Sequence, residues 1–229
     1  NRIAYKVNGT GRNATLSKSG NCSSGNLYIV RTTDEDRNVS CLFTDKLGRM
    51  VLQRRVIGSD NHDTYYVYDN RDNLRFVLPS RLRDEGISQE RMHWPIAIST
   101  TAVTGGVEEA AGCDAVRYVY DKADRLIFVQ DGNLKGQGRW RFTIPDALGR
   151  TVLSGLCSEP LPVDGSAVEA EFTGSGSYKG YAVKVGGIVR ALSGSRLLTV
   201  NYYDNYDFLG KNGFPAYAYD SSMESSGYG

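Results

Sequence analysis

One stretch rich in carboxylates has the spacing of a cation site. The string "DEDRNVSCLFTD" places Asp34, Asp36, Asn38 and Asp45 at positions one, three, five and twelve of a calcium-binding loop. Val39 takes the sixth position, where the sharp turn of such a loop requires glycine, and Asp45 opens the next repeated motif. The stretch is therefore interpreted as two adjacent turns, and no metal site is predicted.

Other motifs that could carry out catalysis are weaker. His62 and His93 are the only histidines, and each lies in a polar segment without the spacing of metal ligands. The string "GTGRNA" from Gly9 imitates a dinucleotide-binding loop, but the "TLSKSGNCSSG" that follows does not predict the helix such a site needs. No GxSxG motif is present. The sequence favours a non-enzymatic protein without a cofactor, and a hydrolase assembled from residues distant in sequence stays open as an alternative.

Composition narrows the class of protein further. The chain has 229 residues, with 27 Lys and Arg against 26 Asp and Glu, and the basic residues are spread along it, so no nucleic-acid partner is expected. No apolar run approaches the roughly 18 residues of a spanning helix, which predicts no membrane-spanning segment. With 26 glycines and 15 tyrosines, the composition favours strands joined by tight turns.

A short repeated motif is the most informative feature of the chain. It consists of an apolar or aromatic stretch, an Asp, two variable residues, a Gly or Asp, usually an Arg or Asn, and a second apolar stretch. The clear copies are "TDKLGRM" from Thr44, "YDNRDNL" from Tyr68, "YDKADRL" from Tyr120 and "PDALGRT" from Pro145. Two looser copies are "TDEDRNV" from Thr33 and "YDNYDFL" from Tyr203. Because a catalytic centre is not normally made several times, the repetition indicates a structural unit.

Each copy has the chemistry of a β-hairpin turn. The leading Asp can accept a backbone N–H two residues later, and the residue three positions later must tolerate positive φ, which Gly does best and Asp next; Arg37 is the exception. A loop of four or five residues is expected, with consecutive hairpins paired into one antiparallel sheet. Strand alternation predicts that Leu74, Phe76 and Leu78 face the core and that Leu126 and Phe128 share a face. The predicted turn residues are Asp34, Asp45, Gly48, Asp69, Asp72, Asp121, Asp124, Asp146, Gly149 and Asp204.

The tyrosines before the turns allow a binding role. Their rings could stack on sugars, with Asp and Arg nearby for the hydroxyl groups; the candidates are Tyr65, Tyr66, Tyr68, Tyr118 and Tyr120. Aromatic residues at alternate strand positions also form cross-strand pairs and cover the apolar face of a sheet. The second interpretation is favoured for most of them.

These repeats resemble a known family. "YYVYDNRDNL" and "RYVYDKADRL" are similar to the tyrosine-aspartate (YD) repeats of Rhs proteins and of related toxin-complex and teneurin shells, and more narrowly to Rhs-type wall or surface proteins of Bacteroides-like bacteria. The similarity is strong over 28–157 and weaker over 175–213, and Pro145 departs from the tyrosine of the motif. The resemblance implies a curved strip of hairpins that, in full-length relatives, forms part of a hollow shell around a toxic C-terminal segment. It also implies a bacterial protein that is exported to the cell envelope or beyond, with the rest of the parent chain as its partner.

The predicted organisation has three parts. Residues 1–157 form the strip of hairpins, with an irregular insertion at about 80–115 in which 80–97 allows at most a short helix. Residues 158–213 form a further β-rich extension that ends in a YD-like hairpin, and 214–229 form a flexible polar tail. The expected protein is an all-β, non-enzymatic scaffold segment. With about six hairpins, it is expected to be too short to close a shell on its own. The alternative is a carbohydrate-binding or adhesion module.

Overall fold

The computed structural model describes residues 2–80, 115–163, 165–203, 206–211, 213 and 215–216. Nearly all regular structure in these ranges is antiparallel strand, with one short helix, α1 (Gly132–Gly136), and a 3₁₀ turn (Gly11–Asn13). The predicted all-β fold with β-hairpins is therefore confirmed. Most of the insertion expected at 80–115 and of the tail expected at 214–229 lies outside the described residues, as does the short helix allowed within 80–97, apart from residue 80.

The structure describes fifteen strands in three sheets. In chain order they are β1 (Ile3–Asn8), β2 (Thr15–Asn21), β3 (Tyr28–Thr33), β4 (Val39–Thr44), β5 (Met50–Ile57), β6 (Asp60–Tyr68), β7 (Leu74–Leu78), β8 (Val116–Tyr120), β9 (Leu126–Gln130), β10 (Trp140–Pro145), β11 (Thr151–Cys157), β12 (Val168–Gly176), β13 (Gly180–Val185), β14 (Ile188–Val189) and β15 (Arg196–Val200).

The largest sheet has ten strands, and its order follows the chain. Strands β3 to β11 lie side by side in sequence order, each antiparallel to the next, and β15 is added beside β11 at the far edge. Four hairpins, β4–β5, β6–β7, β8–β9 and β10–β11, have five-residue loops at 45–49, 69–73, 121–125 and 146–150. Because successive strands alternate in direction, these four loops lie at the same end of the strands, and the loop 34–38 between β3 and β4 lies at the opposite end.

A β-bulge follows each of the four loops and changes which side chains face the core. In β6–β7, Val67 pairs with Phe76 but Tyr68 pairs with Leu74, so Arg75 is the extra residue. One extra residue reverses the alternation, because the side-chain period of a strand is two. Leu74 therefore lies on the face opposite Phe76, and the prediction that Leu74, Phe76 and Leu78 all face the core is wrong for Leu74. The extra residues of the four hairpins are Val51, Arg75, Ile127 and Val152.

The same bulge corrects a second prediction. Val119 pairs with Phe128, whereas Tyr120 pairs with Leu126. Leu126 and Phe128 therefore lie on opposite faces of the sheet, and Phe128 is fully buried while Leu126 is exposed. Alternation counted along the sequence fails here because the bulge at Ile127 adds one residue to only one of the two strands.

One face of the ten-stranded sheet bears both parts of the hydrophobic core. Toward β11, Phe128, Phe142 and Leu153 pack with Val168 and Val183 of the β12–β13–β14 sheet. Toward β3, a second set of apolar residues packs beneath the β1–β2 sheet: Phe43, Leu52, Tyr65, Val67, Phe76, Leu78, Ala14 and Leu16. The ten-stranded sheet is thus covered on one face by two smaller sheets, one from each end of the chain.

The N-terminal hairpin differs from the expected strip. Strands β1 and β2 pair only with each other in the described part of the chain, and β1 packs on β6. Two buried arginines hold the connection between β1 and β2: Arg75 Nη2 donates to the Gly11 carbonyl at 2.7 Å, and Arg117 Nη2 donates to the Arg12 carbonyl at 3.1 Å. Burying a guanidinium is costly unless it is hydrogen-bonded, so these contacts fix where the hairpin lies. The strip of consecutively paired strands begins at β3.

The extension after residue 157 also differs from the prediction in how its strands pair. Strands β12 to β14 form their own sheet, but β15 pairs with β11, from Leu153 opposite Val200 to Leu156 opposite Arg196. The predicted extension therefore supplies an edge strand to the strip. Its last hairpin, expected around Asp204, stays a prediction, because Asp204 lies outside the described residues.

Candidate functional site

Eight of the ten predicted turn residues lie at the end of the strands that carries the four loops, here called the turn row (45–49, 69–73, 121–125 and 146–150). Asp34 lies at the opposite end, and Asp204 is outside the described residues. The loop of Asp121 illustrates the geometry of the turn row. The Asp121 N–H donates to the Arg125 carbonyl at 3.0 Å, and the Asp124 N–H donates to the Asp121 carbonyl at 3.1 Å. Asp121 Oδ1 accepts the N–H groups of Ala123 and Arg125, both at 3.0 Å. The carboxylate thus organises its own loop.

The other loops repeat this pattern. Oδ1 of Asp45, of Asp69 and of Asp146 each accepts the N–H groups two and four residues later, at 2.9 to 3.0 Å. In the loop 34–38 at the opposite end, Asp34 Oδ1 accepts the Asn38 N–H at 2.7 Å. The leading Asp is therefore a turn-forming residue in every copy that the structure describes.

In the five copies whose leading Asp the structure describes, the residue three positions later has positive φ. The angles are 81° at Gly48, 64° at Asp72, 57° at Asp124, 84° at Gly149 and 66° at Arg37. This backbone region is strained for most L-residues and easiest for glycine, then for Asp and Asn. Arg37, the exception noted in the sequence, takes the same conformation as the Gly and Asp residues.

Neighbouring loops of the turn row contact one another. Arg49 Nη1 lies 2.5 Å from Asp72 Oδ1, which joins the first loop to the second. Arg71 Nη2 and Asn73 Nδ2 each lie 2.7 Å from the carboxylate of Asp124, which joins the second loop to the third. Between the third and fourth loops, Arg125 Nη1 lies 3.5 Å from the Asp146 carbonyl oxygen. Polar contacts therefore link all four loops, although the copies are far apart in sequence.

Three of the four leading Asp residues of the turn row are also paired within their own loops. Arg49, Arg125 and Arg150 each follow the leading Asp by four residues and lie 2.7 to 2.8 Å from its Oδ2. Burial alone would raise the pKa of Asp45 and of Asp146, but hydrogen bonds from Arg49 and Arg150 together hold both pKa values below the ordinary range. Carboxylates held ionised in this way are poor general acids.

Asp121 connects the turn row to the core. Its side chain is fully buried, and its Oδ2 accepts Arg125 Nη2 at 2.7 Å and the Val168 N–H at 3.1 Å. Arg125 Nη2 in turn donates to the Val168 carbonyl at 2.8 Å. Burial acts to raise the pKa of Asp121, and the hydrogen bonds from Arg125 and Val168 outweigh it and lower the pKa. This loop therefore positions the start of β12 over the ten-stranded sheet.

The five candidate stacking tyrosines divide between the two faces of the sheet. Tyr65 is on the core face, 3% exposed, with its ring 5.1 Å from that of Tyr5 in an edge-to-face arrangement. Its ring cannot stack on a sugar, so the binding role suggested for Tyr65 needs correction. The reason is that β1, which the sequence did not place over β6, covers this position.

The remaining four tyrosines lie on the opposite face, because each is adjacent in its strand to a core-facing residue. They are partly exposed: Tyr66, Tyr68, Tyr118 and Tyr120. Burial raises the pKa of Tyr68, Tyr118 and Tyr120, and the Tyr66 hydroxyl further raises that of Tyr118. The Tyr68 hydroxyl donates to the Met50 carbonyl at 3.1 Å, and the Arg49 guanidinium lies 5.1 Å from the Tyr68 ring centre. These four rings form a cluster that stabilises the sheet and is also accessible to solvent.

A cavity of about 360 Å³ lies between the N-terminal hairpin and the first loop of the turn row. Its walls combine Tyr5 and Tyr65 with apolar residues, and Asp45 and Arg49 stand at the loop. Those two charged groups pair with each other, and Arg2, Asn21, Ser23 and Asn26 also line the cavity, so its walls are of mixed polarity. No motif could have identified it from the sequence, because Tyr5 and Tyr65 come from segments 60 residues apart.

The described ranges contain no group of three or more His, Cys, Asp and Glu side chains arranged to hold a metal ion. Within the same ranges, no helix has the length and apolar character needed to cross a membrane. Neither finding tests for catalysis, so the absence of an enzymatic activity stays a prediction.

No protein-family model matches the chain, and no curated protein is significantly similar to it. The resemblance to Rhs and YD-repeat proteins therefore rests on the repeated motifs themselves, and the family stays a proposal.

Proposed function

We propose that this chain is a non-enzymatic structural segment of a bacterial Rhs or YD-repeat scaffold, either a shell or a cell-surface protein. One observation carries the proposal: the same Asp-centred loop recurs in hairpins that follow one another across a single sheet, and neighbouring loops contact each other. A unit that repeats with its own links to the next copy is suited to building a wall.

The chemistry of the loops supports a structural role. A catalytic carboxylate usually has a pKa shifted toward the working pH, whereas Asp45, Asp121 and Asp146 have their pKa values lowered by their arginine and backbone partners. Groups with these properties stabilise a turn and are unsuited to proton transfer at neutral pH.

The proposal also covers where the protein acts and which protein it contacts. A strip of sequential hairpins buries one face and needs further protein to enclose a space, and the rest of a parent chain is the natural supplier. The scaffold would be exported and would act at the cell envelope or outside the cell. In a toxin-encapsulating parent, the strip would form part of the wall around the C-terminal segment.

The parent protein provides the test. We expect electron microscopy of the purified parent to show residues 28–157 as part of a continuous β-wall, and limited proteolysis to spare a C-terminal segment inside it. Asp121→Asn should weaken this protection more than Asp34→Asn, since Asp121 joins its loop to the core and Asp34 lies in an exposed loop. A mature protein that ends close to Gly229, with no enclosed segment, would contradict the encapsulating role.

Carbohydrate binding is a second candidate, favoured by the partly exposed cluster of Tyr66, Tyr68, Tyr118 and Tyr120 on the face opposite the core. Aromatic rings on an open sheet face can stack on sugar rings. If these rings bind glycans, Tyr118→Ala should abolish binding on a glycan array and Tyr118→Phe should retain it. An array without binding at high protein concentration would exclude this candidate.

A further inference from the structure

The last strand at one edge of the ten-stranded sheet is unusually open. All six residues of β3 are exposed, including Tyr28 (67%), Ile29 (49%) and Val30 (61%). One side of its backbone pairs with β4 over the full length of both strands, and the other side has no partner strand within the described ranges. An open edge of this kind presents backbone donors and acceptors to another strand.

Of the features that normally protect an edge, β3 carries only one charged residue, Arg31. "YIVRTT" contains no Pro, Gly or Lys, and its register with β4 has no bulge, unlike the register between β4 and β5. β-branched and aromatic residues supply most of the strand, which suits addition of a further strand. The edge is therefore straight and competent to pair.

The side chains of β3 on the core face indicate which side chains an added strand needs opposite them. Two rows of cross-strand neighbours end at β3: Ile29 lies beside Phe43, and Arg31 lies beside Cys41. Farther along the second row, Arg54 meets Asp63 with Nε at 2.6 Å and Nη2 at 2.8 Å from the carboxylate. Arg31 is exposed and forms no ion pair among the described residues. An added strand would neutralise it by placing a carboxylate opposite Arg31, as Asp63 does for Arg54.

We propose that β3 docks an extended segment of a partner protein that pairs antiparallel to it, with an acidic residue opposite Arg31 and an apolar residue opposite Ile29. Antiparallel pairing continues the alternation of the sheet, and it places the apolar residue two positions after the acidic one in the partner. The backbone supplies most of the affinity and the two side chains supply the selectivity. This inference requires that the parent chain of the proposed scaffold leave the β3 edge unpaired.

The test uses a fluorescein-labelled peptide, Thr-Thr-Glu-Thr-Leu-Thr, and the same peptide with Lys in place of Glu. Fluorescence anisotropy should show the Glu peptide binding about two- to fivefold more tightly than the Lys peptide, the range of an exposed ion pair. Arg31→Glu should reverse this preference. Arg55→Glu is the matched control, because it makes the same charge change on an exposed residue two strands away, and it should leave the preference unchanged.

Three results would overturn the proposal. The first is no binding of the Glu peptide at millimolar concentration by a chain whose thermal unfolding is normal. The second is retained binding by a peptide that is N-methylated at the amides facing β3, which would exclude strand addition. The third is self-association through β3, seen by sedimentation as a dimer that Val30→Lys disrupts, which would identify a second copy as the occupant.

Discussion

Arg71 and Asp124 are 53 residues apart in sequence, yet Arg71 Nη2 lies 2.7 Å from Asp124 Oδ2. The two residues belong to successive loops of the turn row, brought together because β7 and β8 pair in the sheet. Arg71 Nη2 also donates to the Lys122 carbonyl at 2.8 Å. Contacts between loops therefore accompany contacts between strands, and each copy of the motif is held to the next at two places.

The Arg71 and Asp124 pair should contribute little stability despite its short distance. The two side chains are 49% and 41% exposed, so water and salt screen their attraction. A double-mutant cycle with Arg71→Ala and Asp124→Ala, measured by urea unfolding, should give a coupling energy of at most about 1 kcal/mol. The coupling should fall at about 1 M salt, where the screening length is about 3 Å. A larger coupling that salt leaves unchanged would contradict this assignment.

Asp121→Asn should be among the most damaging substitutions in the turn row. The change leaves Arg125 without its buried carboxylate partner and weakens the bond to the Val168 N–H, so the free energy of unfolding should fall by roughly 2 kcal/mol or more. Asp34→Asn is the control, because Asp34 makes the equivalent contacts in an exposed loop, and its loss should be much smaller. Equal losses in urea titrations would show that the link to β12 contributes nothing.

Stability should decrease in acid because of these carboxylates. The pKa values of Asp45, Asp121 and Asp146 are lowered in the folded chain, below the value of about 3.9 for a free aspartate. Their contribution is therefore complete above about pH 4 and is lost as the pH falls through the folded pKa values. The difference in unfolding free energy between the wild-type chain and Asp121→Asn should shrink over the same pH range. A difference that stays constant from neutral pH into acid would contradict the lowered pKa of Asp121.

The positive-φ corners allow a paired test of backbone strain. Gly149→Ala should destabilise the chain by about 1 kcal/mol, because φ is 84° and no atom lies within 4 Å of an added Cβ, so only the backbone conformation is penalised. Arg37→Gly should instead be neutral or stabilising, since Arg37 has a φ of 66°. Thermal unfolding of both variants checks the opposite signs. A stabilised Gly149→Ala would contradict the left-handed corner.

Gly155 should be intolerant of any side chain for a different reason. An added Cβ would lie 2.3 Å from the Arg196 carbonyl oxygen and 2.6 Å from the Phe142 ring, so β15 or Phe142 must move. Gly155→Ala should cost about 1 to 3 kcal/mol. Gly136→Ala in α1 is the control, because an added Cβ there meets nothing within 4 Å, and the change should be neutral or slightly stabilising. Hydrogen exchange should show β15 opening first, and unchanged protection of β15 would contradict the steric argument.

Much of the candidate site was predictable because turn chemistry is local. Asp69 and Asp72 stand three residues apart, and the hydrogen bonds and the φ angle they provide depend on the same five-residue loop. The β-bulge that follows each loop was not predictable in this way. Its position decides that Leu74 and Leu126 leave the core face. Residue type does not mark it, since Val51, Ile127 and Val152 are β-branched residues common at any strand position and the fourth extra residue is Arg75.

The sequence by itself determined the all-β class and the loops built on Asp45, Asp69, Asp121 and Asp146, because these features depend on residues a few positions apart. Only the tertiary structure decided that β1 covers Tyr65, that Arg75 and Arg117 hold the N-terminal hairpin, and that β15 joins β11. These relationships join segments separated by tens of residues. They follow from how the whole chain buries its apolar surface and satisfies its buried polar groups, which local residue patterns do not specify.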